Sequence, residues 1–258
     1  MQVSIYNSLF GALTQEYRLD ITANNLANVN TTGYKQEELA FRDVFKRYAH
    51  DLLDPNMSVK GCVRSPEPNI ICEPRIGKTG TDFDQGSLKR TGNPLDLAIQ
   101  GEGFFRIRTP EGNFYSRNGA FHLSSDGRIV TAQGYELLAG GQAVQVPPNS
   151  NIKVNSGGDI LADGEQVAQI DVVSFEDLSA LNKRGENLFQ LAEDAQVQEI
   201  LPQGTTIEQG ALESSNVQLV QEMVNMIDTM RSTQSYQKVM TATKKEDSKV
   251  INEVGRAI

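Results

Sequence analysis

The sequence predicts an α+β protein in which a helix at each end of the chain pairs into a coiled-coil-like stalk and an antiparallel all-β domain is inserted between them. Three observations carry this. Apolar residues near both ends recur in steps of three and four, the period of a helix face. The middle of the chain breaks instead into short β-type runs separated by glycine turns. Neither helical stripe has a counterpart in that β-type pattern, which leaves the two ends to pack on each other or on other subunits.

The first helix is expected from about Ser4 to Asn30. Its stripe runs through Ile5, Leu9, Ala12, Leu19, Ala23 and Leu26, interrupted by Glu16, and Gly33 is placed to end it in a left-handed cap. Four asparagines, Asn24, Asn25, Asn28 and Asn30, crowd its last turns. Asparagine is a mediocre helix former, so propensity does not explain them. Their amides, each with two donors and an acceptor oxygen, suit bonding between closely packed helices. Residues 34–80 form a connector domain: a short helix over Glu37 to Leu52, then an extended stretch through Pro55, Pro66, Pro68 and Pro74. Within it Cys62 and Cys72 could close a short disulfide loop or remain two unpaired thiols.

Residues 81–211 are the outer all-β domain. DLAIQ, FFRIR, NFYSR, AFHLS, RIVTA and YELLA are separated by turn sequences, VQVPP, IKVNS, DILAD and QIDVVSF continue the series, and GENLFQLAEDA reads as closing turns. From Leu212 the pattern returns to helix, with Ser214, Ser215 and Asn216 as capping candidates. Its stripe is Leu219, Met223, Met226, Met230 and Met240, widened by Val220, Val224 and Ile227. Residues 1–33 and 212–258 thus form a helical assembly domain. The assembly surface expected on it comprises Ile5, Leu9, Leu19, Asn24, Asn25, Leu26 and Asn28 on the first segment. On the second it comprises Asn216, Val217, Val220, Met223, Val224, Met226, Ile227 and Met230.

Bulk properties exclude several classes. A chain of 258 residues can bury a substantial core. A net charge of −9 argues against nucleic acid, which selects basic stripes. No apolar run approaches the roughly 20 residues of a membrane span. The first residues, MQVSIYNSLFGALTQEYRLD, lack the basic region and cleavage site of a secretory leader, which implies either the cytoplasm or export without cleavage. Motifs that look chemical fail on inspection. Gly77-Lys78-Thr79 lacks the earlier glycine of a phosphate loop, where Cys72 stands, and Arg106 occupies the third glycine position of a dinucleotide fingerprint in GEGFFR. Asp159, Asp163 and Gly164 lack the rest of a calcium loop, since Leu161 and Ile170 stand at ligand positions. All three read as turns. His122 reads as a strand residue, and no nucleophile elbow is present. No catalytic residue, metal or cofactor is assigned, and an enzyme is disfavoured.

Three ordered segments resemble a known family: LDITANNLANVNTTGYK (19–35), GSLKRTGNPLDLAIQGEGFFRIRTPEGNFYSRNGAFHLSSDGRIVTAQGYELL (86–138) and GALESSNVQLVQEMVNMI (210–227). Together they are similar to the axial proteins of the bacterial flagellum, specifically the basal-body rod family, over nearly the whole chain. Ser4-Ile5-Tyr6, the overall length and VVSFEDLSALNKRGENLF (172–189) make it most similar to proximal-rod members, with distal-rod members as runner-up. One departure is that Arg231 is followed by STQSYQ, keeping only the aromatic Tyr236.

The resemblance implies a structural subunit that assembles with copies of itself and other rod proteins into a tube transmitting torque around an export channel. It implies passage through the flagellar type III export apparatus without a cleaved leader, residence in the periplasmic rod of the basal body, and no membrane insertion. A Cys62–Cys72 disulfide could form in that compartment. The rival from another class is a ligand-binding β-module dimerised by its helices. A hydrolase ranks last.

Overall fold

The computed structural model describes residues 2–46, 71–147, 150–192, 197–202 and 204–254. Cys62, and with it the Cys62–Cys72 pairing, lies outside them. Among the described residues two helices, α1 (Gln2–Ala27) and α2 (Leu219–Val254), flank antiparallel strands with one 3-10 turn at Leu178–Ala180, so the α+β class holds. Cα packing divides the chain into two compact units. One comprises Met1–Asn24, Glu38–Gly80 and Val220–Ile258, and the other comprises Asn25–Glu37 and Thr81–Leu219.

In the first unit, β1 (Glu37–Lys46) pairs with β2 (Ile71–Thr81). The helix expected from Glu37 is therefore a strand as far as the structure describes it. Phe41, Val44 and Phe45 are strand formers, and a partner strand overrides the mixed local propensity. Gly77-Lys78-Thr79 also lies in β2, not in a turn.

The second unit is built on β5 (Phe104–Thr109), whose two faces are both buried. Successive side chains of a strand point to opposite faces. Phe105 and Ile107 therefore enter a large core with Leu97, Ile99, Phe121 and Leu137, while Phe104 enters a smaller one with Tyr115, Phe175 and Phe189. Edge-on ring contacts tie each core: Phe105 and Phe121 are 5.3 Å apart between centroids, Tyr115 and Phe175 4.8 Å. Ahead of β5 come β3 (Leu88–Arg90) and β4 (Leu97–Gln100). After it β6 (Gly112–Ser116), β7 (Phe121–Leu123), β8 (Ile129–Thr131) and β9 (Glu136–Ala139) extend the sheet. The short β10 (Gln142–Ala143) folds back on β9, and VQVPP, which follows it, contributes a bridge from Gln145 to Arg128.

Next, β11 (Ile152–Val154), β12 (Asp159–Ala162) and β13 (Glu165–Gln169) make a three-stranded sheet. Asp163 and Gly164, at φ 54° and 96°, form the turn between its last two strands. Then β14 (Val172–Phe175) joins β5, and β15 (Leu181–Gly185) and β16 (Leu188–Leu191) form a hairpin that docks on β6. GENLFQLAEDA is thus a hairpin tip and a strand. Glu186 and Asn187 both take positive φ, as a two-residue turn matched to strand twist requires.

The last strands close the unit on its beginning. β17 (Glu199–Ile200) pairs with β14, β18 (Thr206–Gln209) with β4, and β19 (Ala211–Glu213) with β3. Leu212 is therefore a strand residue opposite Lys89, and α2 begins only at Leu219.

Candidate functional site

The three segments that carry the resemblance converge in the β-unit, in a buried polar neck. Asn25, Lys35 and Glu213 are each 1% exposed there. The Asn25 amide binds the backbone it precedes: Nδ2 donates to the Glu37 carbonyl at 2.9 Å, and Oδ1 accepts from the Glu37 N–H and the Tyr34 hydroxyl, both at 3.0 Å. Lys35 Nζ donates to Glu213 Oε1 at 2.6 Å and to the Asp84 carbonyl at 2.7 Å. The Gly86 N–H donates to the same carboxylate oxygen, and Arg117 meets Oε2 at 3.4 Å. A Cβ on Gly86 would lie 1.9 Å from the Ser214 carbonyl oxygen, so only glycine permits that approach.

Asn216 completes the neck. It accepts from the Gln36 N–H at 2.8 Å and donates to the carbonyls of Asp82 and Asp84. It therefore does not cap α2. Gly33 takes the left-handed conformation expected of it, at φ 67°, yet it stands six residues past the end of α1. Its role is close approach: an added Cβ would lie 2.4 Å from the Asn118 nitrogen.

Electrostatically, one carboxylate serves two cations. Burial pulls the Lys35 ammonium below its ordinary pKa, and Glu213 opposes that pull. The Arg117 guanidinium is lowered for the same reason, also opposed by Glu213. Arg117 covers the Phe104 ring at 5.2 Å and donates to the Gly101 carbonyl. On the near side Lys183 bridges Glu37 at 2.9 Å and lies 3.7 Å from the Tyr34 ring centroid. Asn25 thus spends its amide inside its own chain, which corrects the expectation that it bonds to neighbouring subunits. Val217, expected on the assembly surface, is buried ahead of α2.

The helical unit has the opposite character. On α2 the covered positions are Glu222, Met226, Thr229, Thr233, Tyr236, Met240, Thr243 and Asp247, in strict steps of four and three, with Asn225 and Ser232 beside them. The apolar stripe stands on the other side: Val220 is 74% exposed, and Met223, Val224, Ile227 and Met230 are about half exposed. Met226 alone of the predicted stripe from 220 to 230 joins the covered seam. On α1 the covered residues are small, Ser8, Gly11, Thr14 and Thr22 together with Ile21, while Leu9, Phe10, Leu13 and Tyr17 are exposed. Leu19, Leu26 and Asn28 are half-buried and Asn24 is exposed; the side chain of Ile5 lies outside the described ones.

Threonine can be covered here because its hydroxyl bonds the carbonyl one turn back. Thr14 donates to Phe10, Thr22 to Arg18, Thr229 to Asn225 and Thr233 to Thr229. The Tyr236 ring lies so close to Gly11 that an added Cβ would be 2.5 Å from its Cε1. The aromatic that interrupts STQSYQ thus fills the gap a glycine leaves.

A cleft in the β-unit between β13 and β14 offers no chemistry of its own. Its carboxylates are engaged: Asp171 accepts from the N–H groups of Gly140 and Gly141, and Glu199 is held by Arg106 and Tyr115. Among the described residues no group of three or more His, Cys, Asp or Glu could hold a metal ion, and no helix is long and apolar enough to cross a membrane.

Three family models match this chain in order. They are a flagella basal body rod protein model at residues 5–35, a flagellar hook protein FlgE/F/G D1 domain at 98–162, and a flagellar basal body rod FlgEFG protein C-terminal model at 208–253. Curated relatives are similar over almost their whole length. The flagellar basal-body rod protein FlgF of Caulobacter vibrioides is 32% identical over 99% of both chains. Two proteins named FlgG, from Buchnera aphidicola subsp. Schizaphis graminum and Bacillus subtilis, are 32% and 30% identical over 89% and 96% of this chain and 91% and 98% of theirs.

Proposed function

This chain belongs to the flagellar basal-body rod protein family, and on that premise we propose that its terminal helices are the surfaces through which it assembles. It is a structural subunit of the basal-body rod, not an enzyme, and its associates are other rod components. The observation that carries the proposal is the division of faces on α2. A helix that covers threonines and leaves Val220, Met223, Val224, Ile227 and Met230 in water has its apolar face reserved for another chain. The exposed Leu9, Phe10, Leu13 and Tyr17 of α1 offer a like surface. In this reading α1 and α2 pair along the covered seam, with Tyr236 on Gly11 as a fixed point, and neighbouring subunits meet the outward stripes.

The tube so formed transmits torque and surrounds the export channel, and the subunit reaches its periplasmic site through the type III apparatus. A proximal position is favoured by Ser4-Ile5-Tyr6, the overall length and the segment 172–189, while relatives named FlgF and FlgG match at like identity. The test is complementation of a strain lacking this protein. Ile227→Asp should abolish swimming and leave basal bodies without a complete rod, while the purified variant keeps the monomer's melting temperature. Normal incorporation of Ile227→Asp would remove the outward stripe from the assembly surface.

A further inference from the structure

We propose that the polar neck is a latch that holds all four passages of the chain into and out of the β-unit as one bundle, whether or not the terminal helices are folded. The chain passes between its two compact units at residues 24/25, 37/38, 80/81 and 219/220. On the β-unit side every one of these passages is bonded to another. Asn25 ties the first to the second by holding both the N–H and the carbonyl of Glu37. The Asp82 N–H donates to the Gln36 carbonyl, which ties the second to the third. Asn216 grips Gln36, Asp82 and Asp84 together, and the Gly33 N–H donates to the Glu213 carbonyl, which brings in the fourth. Glu213 is the shared centre, since its one carboxylate receives Lys35, Gly86 and Arg117.

Opening this bundle would leave Lys35 and Arg117 without their counter-charge in a site closed to water, so it is costly and cooperative. The outward faces of α1 and α2 differ, in that large apolar side chains are exposed there. The two regions therefore open independently, and disorder spreading from either helix stops at the neck. A subunit whose helices are unfolded still presents both helix roots side by side. Each helix then folds against a neighbour from a fixed origin, with the long loop between them already closed. The inference rests on the β-unit's own bonds and stands whatever position the subunit takes in the rod.

Hydrogen exchange read by mass spectrometry on the full-length monomer tests it. In the wild-type protein the amides of 33–37, 86 and 211–216 should exchange at least ~100-fold more slowly than those of 220–254. Glu213→Gln should speed exchange in 33–37 and 211–216 by ~10-fold or more while β5, β6 and β9 stay protected, and Arg90→Ala at an exposed ion pair should change neither. Should Glu213→Gln fail to fold, Asn216→Ala carries the same expectation for 36–37 and 82–84. Wild-type 33–37 exchanging as fast as α2 would overturn the latch. So would variants in which the core strands open together with the neck, or in which the neck stays closed.

Discussion

The β-unit and the helical unit solve burial in opposite ways. The first puts phenylalanine and isoleucine inside and pairs every charge it buries at the neck; the second covers threonine and glycine and leaves valine and methionine in water. A region of the first kind is complete in one chain. A region of the second kind becomes complete only when other chains cover it. A measurement on the isolated subunit should accordingly see substitutions in the β-unit, and a measurement on the assembled rod should also see those on the helices.

The largest monomer effect is expected at Phe105, fully buried between the strands of the larger core. Phe105→Ala should cost about 3–5 kcal/mol in denaturant unfolding of the β-unit. Met223→Ala, half exposed on α2, should stay within about 0.5 kcal/mol in the same experiment. Equal losses would erase the distinction between the units. Asn25→Leu comes next: it removes the amide that holds both backbone groups of Glu37, at about 1–3 kcal/mol. A lower monomer melting temperature is expected before any assembly is attempted. An unchanged one would return Asn25 to the inter-subunit role.

A subtler test concerns Gly11. Gly→Ala in an open helix gains about 1 kcal/mol. Here the new Cβ would meet the Tyr236 ring, so Gly11→Ala should gain helix content by circular dichroism only when combined with Tyr236→Ala. A gain from Gly11→Ala alone would show that the two helices part in the free subunit. The smallest effect is on alkaline behaviour. Burial lowers the folded pKa of Lys35 and Lys183 below 10.5. In the window between the lowered values and 10.5 the unfolded chain holds more protons, so these groups make stability rise with pH there. Lys183→Met should flatten that slope, measured as the urea midpoint at several pH values. An unchanged slope would mean that Lys183 titrates alike folded and unfolded.

Much of this architecture was legible in residue patterns. The short run FFRIR reads as a strand, without showing that both its faces are buried, and the three-and-four spacing marks both helices. Which face of α2 turns inward was not legible, because a stripe method ranks methionine above threonine. It has no means of seeing that a threonine bonded to its own backbone carries little polarity to its surface. The strand at 211–213 was missed because its partner, 88–90, is far away in sequence, and pairing rather than propensity makes it a strand. Of the four crowded asparagines Asn25 is the buried one, and its three bonds make it more than helix filler. Composition could not reveal whether Asn25 and Asn216 face another subunit or the chain's own return, which is a matter of three-dimensional closure.

That closure has a consequence for how such a chain can change. Gly86 and Glu213 are 127 positions apart yet share a hydrogen bond, and Ser214 donates to the Ser87 carbonyl beside them. Everything strung between these points leaves and returns through one doorway. An insert with coincident ends is a cassette: where the contacts of Arg117, Asn118, Lys183 and Asn187 with the neck are kept, the strands beyond them can be lengthened or trimmed. Variation in the size of the outer portion therefore need not be matched by any adjustment in the parts that stack.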